Sequence, residues 1–204
     1  YFDAYIDIAL TPEAINRIFR AWSGDAKIHS LPLSEDDKIR IAQILAIKLP
    51  EQAECIIARQ MKNTENPDNV RKLAFISPSL SPNRGVRDAF FQSLADDKQR
   101  ETESWVLDAL ANLHHPLRTE DAERYILPSL ELLQEIHVTG DIFFPKRWLD
   151  ETLRNHRSGE AVATVRRFLA ERPDYNEQLR MKMLQSADML FRANGLLTSS
   201  QANE

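Results

Sequence analysis

Histidine is the residue type through which this chain could most directly bind a metal or transfer protons, and the chain has five. A zinc hydrolase needs two histidines one helical turn apart with a glutamate base between them, as in H-E-x-x-H. No histidine here is followed by glutamate, and the neighbours His114 and His115 would point to different sides of a helix. Because Pro116 follows, we expect this pair to cap or pack at a helix end. The sequence therefore predicts no metal ligand among its histidines.

The other reactive residue types lack the neighbours that catalysis requires. There is no G-x-S-x-G motif, and the five glycines are scattered singly rather than gathered in a phosphate-binding loop. The single cysteine, Cys55, lies in the apolar run AECIIA and is predicted to be a buried, inert thiol. Carboxylate pairs such as Asp36-Asp37 fall at helix starts, where solvent and the helix dipole account for them. We predict no catalytic residue in the chain.

Basic residues accumulate in the C-terminal half, and this cluster suggests binding. Arg147 and Arg154 are seven residues apart and therefore share a helix face. One interpretation is a solvated face that pairs with Asp150 and Glu151. The other is a patch, with Lys146, Arg147 and Arg154 as its candidate residues, that faces a peptide carboxylate or an acidic neighbouring domain. The whole cluster comprises Lys146, Arg147, Arg154, Arg157, Arg166, Arg167 and Arg172.

Composition narrows the classes of protein. The chain has 204 residues, of which 43% are hydrophobic, so it can bury a sizeable core. A net charge of -5 and a pI near 5.6 argue against a nucleic-acid-binding protein, which would carry a basic excess. No apolar run approaches the roughly 18 residues of a membrane span. A single cysteine excludes an internal disulfide and any cysteine-rich metal site.

Apolar residues recur at helical spacing along almost the whole chain. After Thr11, a predicted N-cap, Ile15, Ile18, Phe19 and Trp22 follow one face of a helix. No stretch alternates with period two for long enough to form a strand, so we predict an all-α fold of about ten helices. The predicted helices cover about residues 2–10, 12–23, 34–48, 51–63, 66–76, 83–95, 105–115, 119–138, 145–156, 159–171 and 175–193.

Residues 105–148 form the stretch around which these helices are expected to pack. It is predicted to be a rigid, buried helical hairpin with Trp105 and Trp148 as core anchors. Pro128 lies inside a helical pattern and should kink it, because proline removes a backbone donor and clashes with the preceding turn. Gly195 is expected to cap the last helix, after which the polar residues 197–204 should fray.

We interpret residues 1–204 as one helical domain. Helix pairs at this spacing are typical of an α-α superhelix, a HEAT- or armadillo-like solenoid, and a compact bundle is the alternative. A weak internal repeat is present, since a Val-Arg dipeptide recurs at Val70-Arg71, Val86-Arg87 and Val165-Arg166. Because Tyr1 already lies in a helical pattern, residues 1–10 are interpreted as the end of an incoming helix in a fragment of a longer chain. A targeting signal would then lie upstream, which leaves the cytoplasm and the periplasm open.

Several longer strings resemble a known family. The chain from about residue 65 to 194 is similar to the C-terminal helical domain of bacterial aminopeptidase-N-like zinc metallopeptidases. The likeness is a packing pattern rather than a catalytic signature, and the segments WVLDAL, LHHPL and TGDIFFPKRWL are its strongest part. The strings that carry it are RDAFFQSLADDKQRETESWVLDALANLHHPLR (87–118), RYILPSLELLQEIHVTGDIFFPKRWLD (124–150), RRFLAERPDY (166–175) and LQSADMLFRA (184–193).

The resemblance implies a function for the longer chain. In that family an upstream thermolysin-like domain holds the zinc, and the C-terminal helical domain closes over the active site and shapes the peptide chamber. It would make this chain a non-catalytic domain with no cofactor of its own, whose partners are the upstream catalytic domain and the peptide substrate. The alternative is a free-standing HEAT-like scaffold that binds a protein partner. An H-E-x-x-H motif upstream of Tyr1 would distinguish the two.

Overall fold

The structure is a computed structural model that describes residues 1–28 and 32–201, the last four as backbone only. Within these residues the chain is helical and has no strand, which confirms the predicted all-α class. The chain divides into two compact units, Tyr1–Phe90 and Phe91–Glu204. The solenoid arrangement and the single domain stay predictions. Of the linker predicted at residues 25–33, residues 29–31 lie outside the described part, as do residues 202–204 of the predicted tail.

In the first unit the other helices pack around a central one, α3. Helix α3 contacts α1, α2, α4 and α5, and it contributes the fully buried Ala42, Leu45 and Ala46 to the core. The ends of these helices lie within a few residues of the predicted ones. The helices of this unit are α1 (Phe2–Ile8), α2 (Pro12–Ser23), α3 (Glu35–Lys48), α4 (Ala53–Lys62), α5 (Pro67–Leu80) and α6 (Arg84–Ser93), the last of which continues into the second unit.

Polar side chains fix the helix ends of the first unit. The Thr11 hydroxyl accepts a hydrogen bond from the Ala14 N–H, and Gly24 ends α2 at a φ of 87°. At α3 the Ser34 hydroxyl accepts from the Asp37 N–H, and the Asp37 carboxylate accepts from the Ser34 N–H in return. This capping box confirms the predicted start and satisfies two donors that a helix otherwise leaves free.

Lys48, near the end of α3, holds the C-terminus of α1. Its ammonium group donates to the carbonyl oxygens of Ile6, Asp7 and Ala9. A lysine suits this position because the last carbonyls of a helix lack intrahelical donors and carry partial negative charge. Burial lowers the pKa of Lys48, although Asp7 opposes the shift.

Helix α5 runs through Pro78, where the sequence predicted a loop from residue 77. Proline has no N–H to donate to the Ala74 carbonyl. The Ser77 hydroxyl donates to that carbonyl instead, at 3.1 Å. The side chain thus replaces the missing backbone bond, and α5 continues to Leu80. The proline marks the last turn of this helix rather than its end.

The second unit packs around α11. This helix contacts α7, α9, α10 and α13, and its Trp148 is fully buried with the indole N–H donating to the Ser129 carbonyl at 3.2 Å. The helices of this unit are α7 (Glu103–Leu113), α8 (Thr119–Ala122), α9 (Ile126–Glu131), α10 (Leu133–Thr139), α11 (Phe144–Leu153), α12 (Gly159–Ala170) and α13 (Glu177–Gln201).

The predicted kinked helix at residues 119–138 is instead a chain of short segments. Helices α8 and α9 are separated by a 3-10 turn at Glu123–Tyr125, and α10 follows after Leu132. Pro128 cannot donate to the carbonyl of Arg124, and its ring crowds that carbonyl. Tightening the preceding residues into a 3-10 turn accommodates the proline, because such a turn bonds three residues apart rather than four.

Several residues differ in burial from the expectation. Cys55, predicted to be buried, is exposed, because α4 buries Ala53, Ile56, Ile57 and Gln60 on its other face. Trp105 is half-buried, unlike Trp148. Helical spacing also predicts Ala74 in α5 and Val86 and Ala89 in α6 to face the core, but all three are exposed.

Gly195 does not end α13, which continues to Gln201. A glycine caps a helix when the backbone turns left-handed, but Gly24 is the glycine with positive φ in the described chain. Residues 197–201, predicted to fray, therefore lie in a helix.

Replacing Trp148 with alanine should lower the free energy of unfolding by about 3–5 kcal/mol, because it leaves a cavity at the centre of the second unit. Trp105→Ala serves as the control and should cost less than half as much, since Trp105 keeps part of its surface in water. Urea denaturation followed by circular dichroism measures both. Equal losses would contradict the central position of Trp148.

Gly140→Ala should destabilise the protein by about 1–3 kcal/mol through overpacking. A Cβ at Gly140 would lie 2.7 Å from Phe144 Cδ1, 2.9 Å from the Ile136 carbonyl oxygen and 3.1 Å from Glu103 Oε1. The matched control is Gly195→Ala, where a Cβ meets nothing within 4 Å. Because alanine favours a helix interior, this control should stabilise by about 0.5–1 kcal/mol. Thermal melts compare the two, and a loss at Gly195→Ala would mean that residue 195 ends the helix.

Candidate docking surface

Two of the three predicted basic residues, Lys146 and Arg147, lie on helix α11, and Arg154 follows its last residue. Lys146 forms an ion pair with Asp150, one turn along the helix. Arg154, just after the helix, forms one with Glu151. Arg147 is exposed, and its guanidinium makes no hydrogen bond or ion pair with any residue that the structure describes. Two of the three thus follow the solvated, paired interpretation, whereas Arg147 remains available to a partner.

Asp150 connects this helix to α13. The Ser186 hydroxyl donates to Asp150 Oδ1 at 2.7 Å, on the same oxygen that contacts Lys146. The carboxylate is therefore committed to packing α11 against α13. Lys146 is held with it, so this lysine supports the helix rather than offering a free charge.

Glu151 is the carboxylate in this group whose pKa is displaced. Burial raises its pKa, while the Arg154 guanidinium lowers it and the Asp108 carboxylate on α7 raises it further. Arg147 also lowers the pKa of Glu151, more weakly than Arg154 does. The charges on α11 are thus mutually compensated, apart from the exposed end of Arg147.

An exposed apolar surface lies at the α10–α11 junction, next to Arg147. We define it as the apolar edge, comprising Val138, Ile142 and Phe143, whose exposed fractions are 82%, 69% and 69%. Phe143 and Arg147 are four residues apart and therefore lie on the same side of the helix start. Exposed groups of large apolar side chains are typical of interaction surfaces. Binding of a partner removes their apolar surface from water, and this stabilises the complex.

Hydrogen bonds hold the backbone beneath the apolar edge in one conformation. The Asp141 N–H donates to Glu103 Oε1 at 2.6 Å, and the Phe143 N–H donates to Asp141 Oδ1 at 2.9 Å. Lys182 on α13 donates to the Ile142 carbonyl at 3.2 Å. These bonds leave the Ile142 and Phe143 side chains outside while their backbone is satisfied. A surface ordered before binding loses less entropy when it docks.

His114 and His115 lie at a helix end, as the sequence predicted, but His114 also has a contact with a distant histidine that the sequence did not predict. His114 is the C-cap residue of α7 and fully buried, and His115 accepts a hydrogen bond from the Leu117 N–H. His114 also contacts His156, at 2.8 Å between Nδ1 and Nε2. Among the described residues, no group of three or more His, Cys, Asp or Glu side chains is placed to hold a metal ion.

The first unit has an apolar cleft of about 320 Å³ between α4 and the proline-containing end of α5. Ala53, Ile57, Met61, Pro78 and Leu80 supply most of its apolar wall. Its volume is at the lower limit of sites for small molecules. Glu54 is the ionisable residue that lines it, and a single carboxylate lacks the partner that acid–base chemistry requires.

Sequence reasoning identified Arg147 but missed the apolar edge and the contact between His114 and His156. A signal for Val138 was present, because it departs from the apolar stripe of Leu133 and Ile136 at helical spacing. Phe143 lies just before α11, whereas Phe144 is the first, buried residue of that helix. The exposure of Phe143 can be predicted only once the start of α11 is known. The histidine pair has no local signal, since its members are 42 residues apart.

Comparison of this chain with family models, curated proteins and solved structures found no significant match in any of the three. Among the described helices, none combines the length and the apolar character needed to cross a bilayer.

Arg154→Gln should raise the pKa of Glu151, because it removes the cation that most strongly lowers it. Arg147→Gln is the matched control and should produce a smaller rise. The carboxyl carbon of Glu151 can be titrated by NMR in each variant. An unchanged or lower pKa in Arg154→Gln would show that Arg154 does not pair with Glu151 in solution.

Proposed function

We propose that this chain is the non-catalytic helical domain of a zinc-dependent aminopeptidase that cleaves N-terminal residues from peptides. In this proposal a catalytic domain upstream in the same longer chain holds the zinc. The helical domain docks on it, closes over the active site and shapes the peptide chamber. The sequence resemblance is the origin of the proposal, and the apolar edge is the structural observation that supports it.

The position of the apolar edge within the resembling strings favours docking there. Ile142 and Phe143 belong to TGDIFFPKRWL, one of the strongest parts of the likeness. The same string supplies the buried Phe144 and Trp148, so one short segment both anchors the second unit and displays apolar groups to the outside. A partner domain that covers Ile142 and Phe143 would remove both from water.

Arg147 adds a polar requirement to this surface. Its exposed guanidinium, four residues after Phe143, suits a carboxylate on the partner, since guanidinium and carboxylate form two parallel hydrogen bonds. We therefore expect the docking surface of the catalytic domain to be apolar with an acidic group at its rim. Lys146 and Arg154 would support this contact indirectly through their own ion pairs.

The proposal is tested on the longer chain that contains residues 1–204. We expect that chain to bind zinc and to hydrolyse an alanyl or leucyl amide, whereas residues 1–204 alone do neither. Zinc is measured by atomic absorption and hydrolysis by the released chromophore. A longer chain that is inactive and free of zinc would overturn the proposal and favour a scaffold that binds a protein partner through the same edge.

A pair of variants tests the docking surface itself. Phe143→Ser and the control Leu117→Ser both replace an exposed apolar residue, so each should change the stability of residues 1–204 by less than about 0.5 kcal/mol. In the longer chain only Phe143→Ser should lower aminopeptidase activity and expose the domain junction to limited proteolysis. Equal behaviour of the two variants would place the docking surface elsewhere.

A further inference from the structure

Two buried histidines meet in the second unit, and the proposed function makes no use of them. His114 lies at the C-terminal end of α7, and His156 lies three residues after the end of α11. Both side chains are buried, with exposed fractions of 0% and 1%. His114 Nδ1 and His156 Nε2 are 2.8 Å apart, so one of these nitrogens carries a hydrogen and donates a hydrogen bond to the other. The contact connects the ends of two helices that pack on each other.

Further bonds make this contact part of the helix junction. The His114 N–H closes the last turn of α7 on the Leu110 carbonyl at 2.8 Å. The His114 carbonyl accepts a hydrogen bond from the Asn155 side chain at 2.9 Å. The segment after α11 is therefore held to α7 through both Asn155 and His156. Movement of this segment away from α7 would break both connections.

We propose that His114 and His156 form a proton-sensitive latch that joins the end of α7 to the segment after α11 and opens when the pair takes up protons. With both rings neutral, one N–H lies between the two facing nitrogens and bonds them. When both rings are protonated, each facing nitrogen carries an N–H, and the hydrogen bond is lost. Two like charges at this distance also repel each other.

The outer nitrogens of the pair increase the cost of protonation. His114 Nε2 and His156 Nδ1 are buried and have no hydrogen-bond partner within the described part of the chain. A protonated imidazole carries two N–H donors, and a buried donor without an acceptor is costly. The folded form therefore favours the neutral pair, and uptake of protons favours an open form in which water reaches the rings.

The charged groups around the pair do not offset this cost. Tyr125 packs its ring edge-to-face on His114, with the ring centroids 6.1 Å apart. Near the joined ends, Asp108 and Arg154 each interact with Glu151. Among the described residues, neither histidine forms an ion pair, and Arg157 next to His156 is exposed. Nothing in the described surroundings supplies a negative charge to hold an imidazolium.

The shifts in pKa have the sign that the latch requires. Burial, with the other histidine second, holds the pKa of His114 well below 6.5, and burial lowers the pKa of His156 to about 4. The unfolded or opened chain therefore binds protons at a higher pH than the folded chain does. The contribution of the pair to stability is therefore complete only well above pH 6.5, and it is lost as the pH falls through 6.5 towards 4. The raised pKa of Glu151 acts in the opposite direction.

The test measures unfolding of residues 1–204 in urea at pH 7.0 and at pH 5.5. Two histidines that titrate at 6.5 only in the unfolded chain should raise the unfolding constant about 70-fold between these values. His156→Gln keeps a side chain that can bond to His114 and should reduce the rise to about eightfold. His115→Asn is the matched control, because it removes a neighbouring histidine but can retain the bond to Leu117, and it should keep the pair's contribution of about 70-fold. The same rise in wild type and His156→Gln would overturn the proposal.

A second measurement needs no variant and separates the latch from general unfolding. The imidazole nitrogens of His114 and His156 should report neutral rings at pH 6 by NMR. Between pH 7 and pH 5, hydrogen exchange of the His114 amide, corrected for its intrinsic rate, should accelerate more than that of amides in the middle of α12. Protonated rings at pH 6 in the folded protein, or equal acceleration at both places, would contradict a latch.

Discussion

The second unit depends on the burial of α11 at its centre. Trp148 fills the space between this helix and α9, and its indole N–H finds an acceptor in the Ser129 carbonyl. A buried indole must both fill its cavity and find an acceptor for its N–H. These two requirements together fix the position of α9 against α11. The junction before α11 is then held by Glu103, and α13 by Asp150 through Ser186. The apolar edge, the ion pairs and the histidine contact all lie on or beside this one helix.

The same helix therefore serves two purposes on opposite sides. Its inner side supplies Phe144, Trp148 and Leu149 to the core, whereas its start displays Phe143 and Arg147. A rigid element that is fixed from within can present a binding surface without further ordering. This is the physical basis of the proposal that the domain acts by docking on a catalytic domain and limiting access to it.

Local chemistry determined what the sequence could predict. The N-cap predicted at Thr11 and the helix start predicted at residue 34 were correct, because capping involves residues within one turn, and the helical period placed Ile18 and Trp22 in the core. The predictions were wrong where the structure depends on residues far apart in the sequence, or where a side chain replaces a missing backbone hydrogen bond. The Ser77 hydroxyl replaces the missing backbone bond at Pro78 in α5, whereas a 3-10 turn at Glu123–Tyr125 interrupts the helix before Pro128. The residues next to Gly195 do not reveal that α13 continues past it. His156 reaches His114 only through the packing of α7 on α11.

Gly140 has a consequence for how chains of this fold can diverge. Its surroundings leave no room for even one additional carbon, although its φ of -98° is open to any residue. The constraint is thus one of space between α10, α11 and Glu103 rather than of backbone conformation. Substitution there requires Phe144 and Glu103 to change with it. In chains that share this junction, glycine should persist at this position after the exposed residues on either side have drifted, so it can guide the alignment of very distant sequences.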